Sequence, residues 1–206
     1  MKKTIAFTFL ILLSSVSQGE TFSDLEKKAE LGSPSAIMKL GIIYEKGLIK
    51  QEKNLDKAKK YYLLASQKGV KQSYSRLGDI EYTQGNLRKA LEYWNIGAQL
   101  KDSASTAYLG RHYFNRAEFF KANEYLKTSA IDGIPMAQFY LSKIYEQGRI
   151  GAKNIVYAHA WMTISARNYK DAKKELITME KMMNNKQLKA SKNISNTFIK
   201  NYFSKK

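Results

Sequence analysis

Residues 36–47 read AIMKLGIIYEKG, and residues 53–69 read KNLDKAKKYYLLASQKG. In the first stretch, Leu40 and Tyr44 follow Ala36 at intervals of four residues. Side chains at such intervals lie on one face of an α-helix. The second stretch carries two adjacent tyrosines and, three residues later, an alanine. The two stretches therefore predict a pair of amphipathic helices that pack large residues against small ones.

Both stretches recur along the chain. The first returns as SYSRLGDIEY from Ser73, STAYLGRHY from Ser105 and AQFYLSKIY from Ala137, with start-to-start spacings of 37, 32 and 32 residues. The second returns as ALEYWNIG from Ala90, ANEYLKTS from Ala122 and AHAWMTIS from Ala158. A period of this size is typical of stacked helix pairs that cannot bury their apolar faces alone. The sequence predicts an all-α solenoid of about four helix pairs.

Glycine follows the leucine directly in three of the four first helices, at Gly41, Gly78 and Gly110. A glycine inside a helix costs about 1 kcal/mol relative to alanine. Its repetition at one register predicts that the backbone of a neighbouring helix passes close to these positions.

The expected helix ends follow the same period. Pro34 and Pro135 fall at the first turn of a first helix, where proline loses no hydrogen bond. Gly69 and Gly133 follow second helices as C-terminal caps should. The expected N-caps, four residues before the alanine of each second helix, are Asn54, Asn86, Glu118 and Asn154.

The quoted stretches resemble the Sel1-like repeat, a relative of the tetratricopeptide repeat. That pattern is Ala-x-x-x-Leu-Gly-x-x-Tyr-x-x-Gly, a loop, and then Lys-Ala-x-x-Tyr/Trp-Tyr-x-x-Ala-x-x-x-Gly. The likeness runs from about Leu25 to Ala172. The first and fourth repeats have the long loop of this family, and the second and third have a shorter loop, closer to tetratricopeptide units. The resemblance implies a protein-interaction module of an exported bacterial protein.

The resemblance also implies that the first helices line a concave groove for a partner. The groove residues expected on this basis are Met38, Ile42, Asp79, Tyr82, Ala107, Arg111, Phe114, Phe139, Lys143 and Glu146. Aromatic and arginine side chains make effective anchors for a partner. The alternative is that Tyr82, Phe114 and Phe139 are core residues and that the assumed register is displaced by one residue.

The N-terminal residues have the pattern of a secretory signal peptide. Two lysines precede an apolar run from Ile5 to Leu13, and small and polar residues continue to Gly19. The run is shorter than the roughly 20 residues of a membrane-spanning helix, although a retained anchor is the alternative. We expect cleavage after Gly19, or after Ser17, and export to the periplasm or beyond. The expected domains are a signal peptide over 1–19, a repeat domain over 20–183 and a basic C-terminal helix over 184–206.

The formal net charge is +17, and residues 170–206 contribute +7 of it from ten lysines and three acidic residues. Such a surface favours anionic lipid headgroups, envelope polymers or an acidic protein. We expect another, acidic protein as the partner and a membrane surface as a further partner of the C-terminal segment. A merely solvated surface is the alternative, and the export signal argues against nucleic acid.

The C-terminal segment itself places Leu188, Ile194, Phe198, Ile199 and Phe203 among many lysines. As a helix it is amphipathic and basic, which suits a membrane or a partner surface. It also suits a capping helix that covers the apolar edge of the last repeat, and we favour the cap.

Few residues of the chain could carry chemistry. It has two histidines and no cysteine, and it lacks the metalloprotease, nucleophile-elbow and phosphate-loop motifs. His112 occupies a register that holds isoleucine in the other repeats, so a packed histidine is expected there. His159 has no partner that the sequence identifies. We expect no enzyme activity, no cofactor, no metal and no small-molecule substrate.

Three functions are compatible with these features. The first is an exported adaptor, related to the envelope or to virulence, that binds a protein in its groove. The second, taken from the resemblance, is a periplasmic immunity protein that neutralises a secreted toxin such as a lipase effector. The third is an enzyme that acts on envelope polymers, for which Asp79 and Glu146 are the only scattered acids we identify on the groove face.

Overall fold

A computed structural model describes residues 20–203, and within this range the chain forms α-helices and one π-helical turn, with no β-strand. The helices are α1 Phe22–Glu30, α2 Pro34–Lys46, α3 Leu55–Gln67, α4 Gln72–Thr83, α5 Leu87–Gln99, α6 Ser103–Asn115, α7 Phe119–Ile131, α8 Pro135–Gln147, α9 Ile155–Ser165, α10 Lys170–Lys181 and α11 Asn185–Phe198, and the π-helical turn is Ile199–Phe203. The predicted all-α helical-repeat fold is confirmed. The predicted signal peptide over 1–19 lies outside the described residues, as do residues 204–206.

The chain divides after Ala90 into two compact units. The first contains α1 to α4, the second contains α6 to α11, and the division falls within α5. No helix of residues 20–203 combines the length and the apolar character needed to cross a membrane.

The repeated positions form the cores of these units. The leucines of the four first helices are at most 1% exposed: Leu40, Leu77, Leu109 and Leu141. The alanines that open the second-helix stretches are fully buried: Ala58, Ala90, Ala122 and Ala158. Large residues of the second helices, such as Tyr62, Leu126 and Met162, are also fully buried.

Two of the helix glycines, Gly41 and Gly110, lie at points of very close approach. A Cβ atom on Gly110 would lie 2.7 Å from Cγ of Leu126 and 3.2 Å from its backbone nitrogen. A Cβ atom on Gly41 would lie 2.6 Å from the Tyr62 ring. The predicted close backbone is therefore present at Gly110, whereas the neighbour of Gly41 is a side chain.

A buried carboxylate holds that tyrosine in place. The hydroxyl of Tyr62 donates a hydrogen bond of 2.5 Å to Oε2 of Glu45, whose other oxygen lies 3.6 Å from Nη1 of Arg76. Burial alone would raise the pKa of Glu45, but the charge of Arg76 and hydrogen bonds from Lys46 and Tyr62 lower it on balance. Glu45 is therefore a charged structural group that fixes the ring against Gly41.

Most of the expected helix ends are present. Pro34 and Pro135 are the first residues of their helices, and Asn54 and Asn154 accept capping hydrogen bonds from backbone N–H groups. Glu118 differs, because it stands at the N-cap of α7 without a capping side-chain hydrogen bond.

Arg116 explains that difference, since its Nε donates a 2.7 Å hydrogen bond to the Glu118 carboxylate. The carboxylate is therefore used by this ion pair and not by the helix N-terminus.

The C-terminal helix closes the second unit. Phe198 is 9% exposed and stacks on Trp161 of α9 with ring centroids 4.4 Å apart. Ile194, Ile199 and Phe203 pack against the same hydrophobic cluster. The capping role favoured from the sequence therefore accounts for the apolar face of α11.

Candidate interaction site

The second unit places five of the expected groove residues on two neighbouring first helices. Arg111 and Phe114 lie three residues apart on α6, and Phe139, Lys143 and Glu146 lie four and three residues apart on α8. These intervals place each group on one face of its helix. All five side chains are half-buried.

Ring contacts join this face from α6 through α8 to the start of α10. The centroid distance is 5.0 Å from Phe114 to Tyr140, 5.2 Å from Tyr140 to Phe139, and 5.3 Å from Phe139 to Tyr169, the N-cap residue of α10. We call the rings of Phe114, Tyr140, Phe139 and Tyr169 the aromatic chain. Such edge-to-face and tilted pairs add about 0.5–1.5 kcal/mol each beyond their burial.

The aromatic chain also belongs partly to the hydrophobic core. Phe114 and Tyr140 pack against the cluster around Leu126 and Leu141, and Phe139 packs against the cluster around Met162. Ala107, expected in the groove, is fully buried in the core and is a wrong assignment, because its small side chain lies between packed helices.

The charges on this face are balanced locally. Nζ of Lys143 lies 2.8 Å from Oε2 of Glu146 and 3.3 Å from Oε2 of Glu175 on α10. Burial alone would lower the pKa of Lys143, but the hydrogen bonds and charges of these two carboxylates raise it on balance. One lysine therefore stands between two carboxylates, so this part of the face has no excess of positive charge.

Arg111 rests on aromatic rings. Its guanidinium carbon lies 5.0 Å from the centroid of Tyr108 and 5.9 Å from that of Trp94. Burial raises the pKa of the Tyr169 hydroxyl, and the charge of Arg111 acts in the opposite direction, which places Arg111 within electrostatic range of the aromatic chain. Cation–π contacts of this kind contribute about 0.5–2 kcal/mol and restrict the guanidinium.

The remaining expected residues lie in the first unit, on α2 and α4. Met38, Ile42 and Asp79 are half-buried, and Tyr82 is 39% exposed. The ring contacts described above join the expected residues Phe114 of α6 and Phe139 of α8, and on that observation we take the face of α6, α8 and α10 as the candidate site.

The sequence did not reveal the surroundings of His159. Its Nδ1 lies 2.5 Å from the Ser191 hydroxyl on α11, and its Nε2 lies 3.7 Å from Oε1 of Glu180 on α10. Ser191 is 0% exposed, so no substrate reaches this serine, and the arrangement joins three helices. Ser191 follows His159 by 32 residues, so no local sequence signal connects them.

His112 is half-buried and meets Tyr113 edge-on, with ring centroids 5.4 Å apart. Residues 20–203 contain no group of three or more acidic or histidine side chains placed to hold a metal ion.

The Sel1 repeat model matches residues 34–70, 72–102 and 135–169, which together make half of the chain. Residues 103–134, the third repeat predicted from the sequence, lie between two matched segments. No curated protein matched the sequence.

Two solved bacterial structures have a similar fold. A protective antigen of uropathogenic Escherichia coli strains, described as displaying an SLR fold, superposes with a TM-score of 0.76 at 22% identity over 94% of this chain. This chain spans 44% of the length of that antigen. A Sel1 repeat protein from Oxalobacter formigenes gives a TM-score of 0.66 at 22% identity, with 85% of this chain and 78% of that chain covered.

Proposed function

Because the chain belongs to the Sel1 repeat family, we propose that it is an adaptor that binds another protein on the face of α6, α8 and α10. Sel1 repeat proteins generally mediate protein–protein interaction. The observation that carries the proposal is the aromatic chain, which joins the first helices α6 and α8 to the start of α10. Half-buried aromatic rings and arginine are the side chains that most often dominate binding energy.

Immobilisation of these groups favours their use as anchors. The rings are held by one another and by the core, and Arg111 is held over Tyr108. A partner that contacts them therefore pays little additional side-chain entropy. The same packing means that truncating an aromatic residue would weaken the fold, so the binding test should alter Arg111.

We propose that an acidic partner is attracted over distance rather than by this face alone. The net charge of +17 supports electrostatic steering toward acidic proteins. At the face itself, Lys143 is already paired with Glu146 and Glu175. Binding energy there comes from the rings and Arg111, and the positive charge elsewhere raises the association rate.

The test is affinity capture from the envelope fraction with three forms of the protein. Arg111→Gln removes the charge from the face, and Arg116→Gln is the matched control at the end of the same helix, away from the aromatic chain. We expect a captured protein that the parent and Arg116→Gln retain and Arg111→Gln loses, with unchanged circular dichroism spectra. Equal capture by all three forms would refute this face as the site.

Export is a second part of the proposal, supported by the N-terminal sequence and by the start of the fold. Glu20 follows the expected cleavage point, and its carboxylate lies 2.5 Å from Nζ of Lys28 and 3.1 Å from Nζ of Lys39. Thr21 and Asp24 then form a capping box at the start of α1. Mass spectrometry of the envelope-fraction protein should give an N-terminus at Glu20 or Gln18, and a retained Met1 would contradict the proposal.

Neutralisation of a secreted toxin is the alternative form of the binding function, and the excess of positive charge favours an acidic toxin. The activity of the captured protein distinguishes the immunity function from the adaptor function. If it is an enzyme whose activity falls on addition of the parent but not of Arg111→Gln, the immunity function is supported. If its activity is unchanged, the adaptor function is supported.

A further inference from the structure

The outer face of α11 carries a stripe of lysines. The stripe consists of Lys186, Lys189, Lys192 and Lys200, all of them exposed. At 3.6 residues per turn the first three span an arc of about 120° on the helix, and Lys200 follows in the π-helical turn. At about 1.5 Å per residue the stripe is about 21 Å long.

No negative charge offsets this stripe. Residues 184–203 contain no aspartate or glutamate, and the exposed residues between the lysines are asparagines and threonine. Within residues 20–203 no ion pair is formed by any of the four lysines. The acids nearest along the chain lie on α10: Glu175 pairs with Lys143, and Oε1 of Glu180 lies 3.7 Å from Nε2 of His159.

The inner face of α11 is fully used by packing. Phe198 stacks on Trp161, Ser191 hydrogen-bonds His159, and Ile194 packs against the hydrophobic cluster around Leu141. A capping box at Asn184 fixes the other end of the helix. The helix therefore cannot turn its apolar side to a bilayer without unfolding the cap, and only the stripe is available for binding.

We propose that the stripe on α11 docks the protein on a bilayer that carries anionic lipid headgroups, by electrostatic contact and without insertion. This surface is separate from the face of α6, α8 and α10, so it does not depend on the proposed adaptor function.

The composition of the stripe selects a lipid surface over an acidic protein. It contains no arginine and no aromatic or aliphatic anchor between its lysines, whereas protein interfaces are enriched in arginine and aromatic residues and depleted of lysine. Lysines act as flexible point charges, which suits an array of mobile headgroups.

The experiment measures co-sedimentation of the full mature chain with vesicles of phosphatidylcholine alone or mixed with phosphatidylglycerol. The stripe variant changes Lys186, Lys189, Lys192 and Lys200 to glutamine. The matched control removes the same charge elsewhere by changing four other exposed lysines to glutamine: Lys53, Lys60, Lys68 and Lys127. A charge-preserving variant changes the four stripe lysines to arginine.

The parent should bind only the vesicles that contain phosphatidylglycerol, and added salt should release it. Each lysine near an anionic surface contributes about a fivefold change in partitioning, so the stripe variant should bind about a thousandfold more weakly. The control should remain close to the parent, and the arginine variant should bind as well as the parent. Melting curves should coincide, because the substituted side chains are exposed.

Three outcomes would overturn the proposal. One is a parent that does not sediment with anionic vesicles, which leaves an acidic protein as the occupant of the stripe. Another is equal weakening in the stripe variant and the control, which means that net charge alone is responsible. The third is a stripe variant that binds like the parent.

Discussion

Replacing Gly110 with alanine should destabilise the protein, although alanine is the better helix former. In an unconstrained helix interior this change stabilises by about 1 kcal/mol. Here the new methyl group would lie 2.7 Å and 2.8 Å from side-chain carbons of Leu126 and 3.2 Å from its backbone nitrogen. Carbon atoms in ordinary contact are about 3.5–4.0 Å apart, so the two helices would have to separate.

The size of the expected loss in stability depends on which atoms can move to accommodate the new methyl group. Leu126 is 0% exposed, and its backbone nitrogen shifts only if α7 shifts. Overpacking of a core costs about 1–3 kcal/mol, and a backbone contact belongs at the upper end of that range. After subtraction of the gain in helix propensity, Gly110→Ala should lower the free energy of unfolding by about 1–2 kcal/mol.

The assay is denaturant and thermal unfolding followed by circular dichroism. The melting temperature should fall by about 2–4 °C for each kcal/mol in a chain of this size. Leu126→Ala alone should cost about 2–5 kcal/mol through its cavity. In the double variant the new methyl group occupies part of that cavity, so the double variant should be more stable than the sum of the single changes indicates. A Gly110→Ala protein that is stabilised by about 1 kcal/mol would refute the close approach of these helices.

Three further predictions test other parts of the structure. Leu109→Asp places a charge at a site that is 1% exposed, so it should cost several kcal/mol and unfold much of the helix seen by circular dichroism; a parent-like melting curve would contradict the register. Phe198→Ala removes the ring that stacks on Trp161, which should cost about 3–5 kcal/mol and make the C-terminal helix the first site of limited proteolysis; unchanged protection would show that α11 is not the cap. Burial lowers the pKa of both His159 and His112 below 6.5, with Glu180 partly offsetting this at His159, so the unfolded chain takes up protons first and the free energy of unfolding should fall as the pH drops below about 6.5. The variant with both histidines changed to glutamine should lose that dependence, and a parent whose stability is constant from pH 7 to pH 5 would contradict the assignment.

The core was predictable because the same residue types recur at the same positions of each repeat. Leu40 and Leu109 occupy one register in two helices, and both are at most 1% exposed. The assignment of one position could therefore be checked against three others. His112 stands at a position that holds isoleucine in the other repeats, and its burial differs as well. Ile80 and Ile144 are buried, whereas His112 is half-buried.

The burial of the residues in the candidate site was not predictable from the sequence. The family register placed Phe114 and Phe139 on the exposed side of the first helices, and both are half-buried because neighbouring aromatic residues of α8 and α10 cover them. The likeness to the family could not supply this, since Tyr140 stands at an unspecified position of the repeat pattern and Tyr169 stands where the pattern has glycine. The helical register predicts on which face of its helix a side chain lies. How deeply that side chain is buried depends on the size of the side chains on the neighbouring helix.

The pairings across helices were not predictable at all. Lys143 with Glu175 and His159 with Ser191 each join residues that are 32 positions apart. One repeat period separates the partners, yet neither pair recurs in the other repeats as a sequence pattern. A pair that occurs once has no periodic signal, and only the packed helices bring its members together.

Because some lysines are paired with carboxylates, the net charge of the chain does not predict how positive each part of its surface is. The sequence total of +17 predicts attraction to acidic partners anywhere on the surface, but Lys143 is neutralised by two carboxylates while the α11 stripe has none. The two proposed surfaces should therefore differ in their response to salt. Exposed lysines that face headgroups are screened over a Debye length of about 10 Å at 0.1 M salt, so vesicle binding should be lost as salt rises. Binding at the aromatic chain depends mainly on burial of rings, so its dissociation rate should change little, and salt should act on its association rate. If salt instead abolished both kinds of binding equally, charge alone would account for them, and the aromatic chain would be only part of the core.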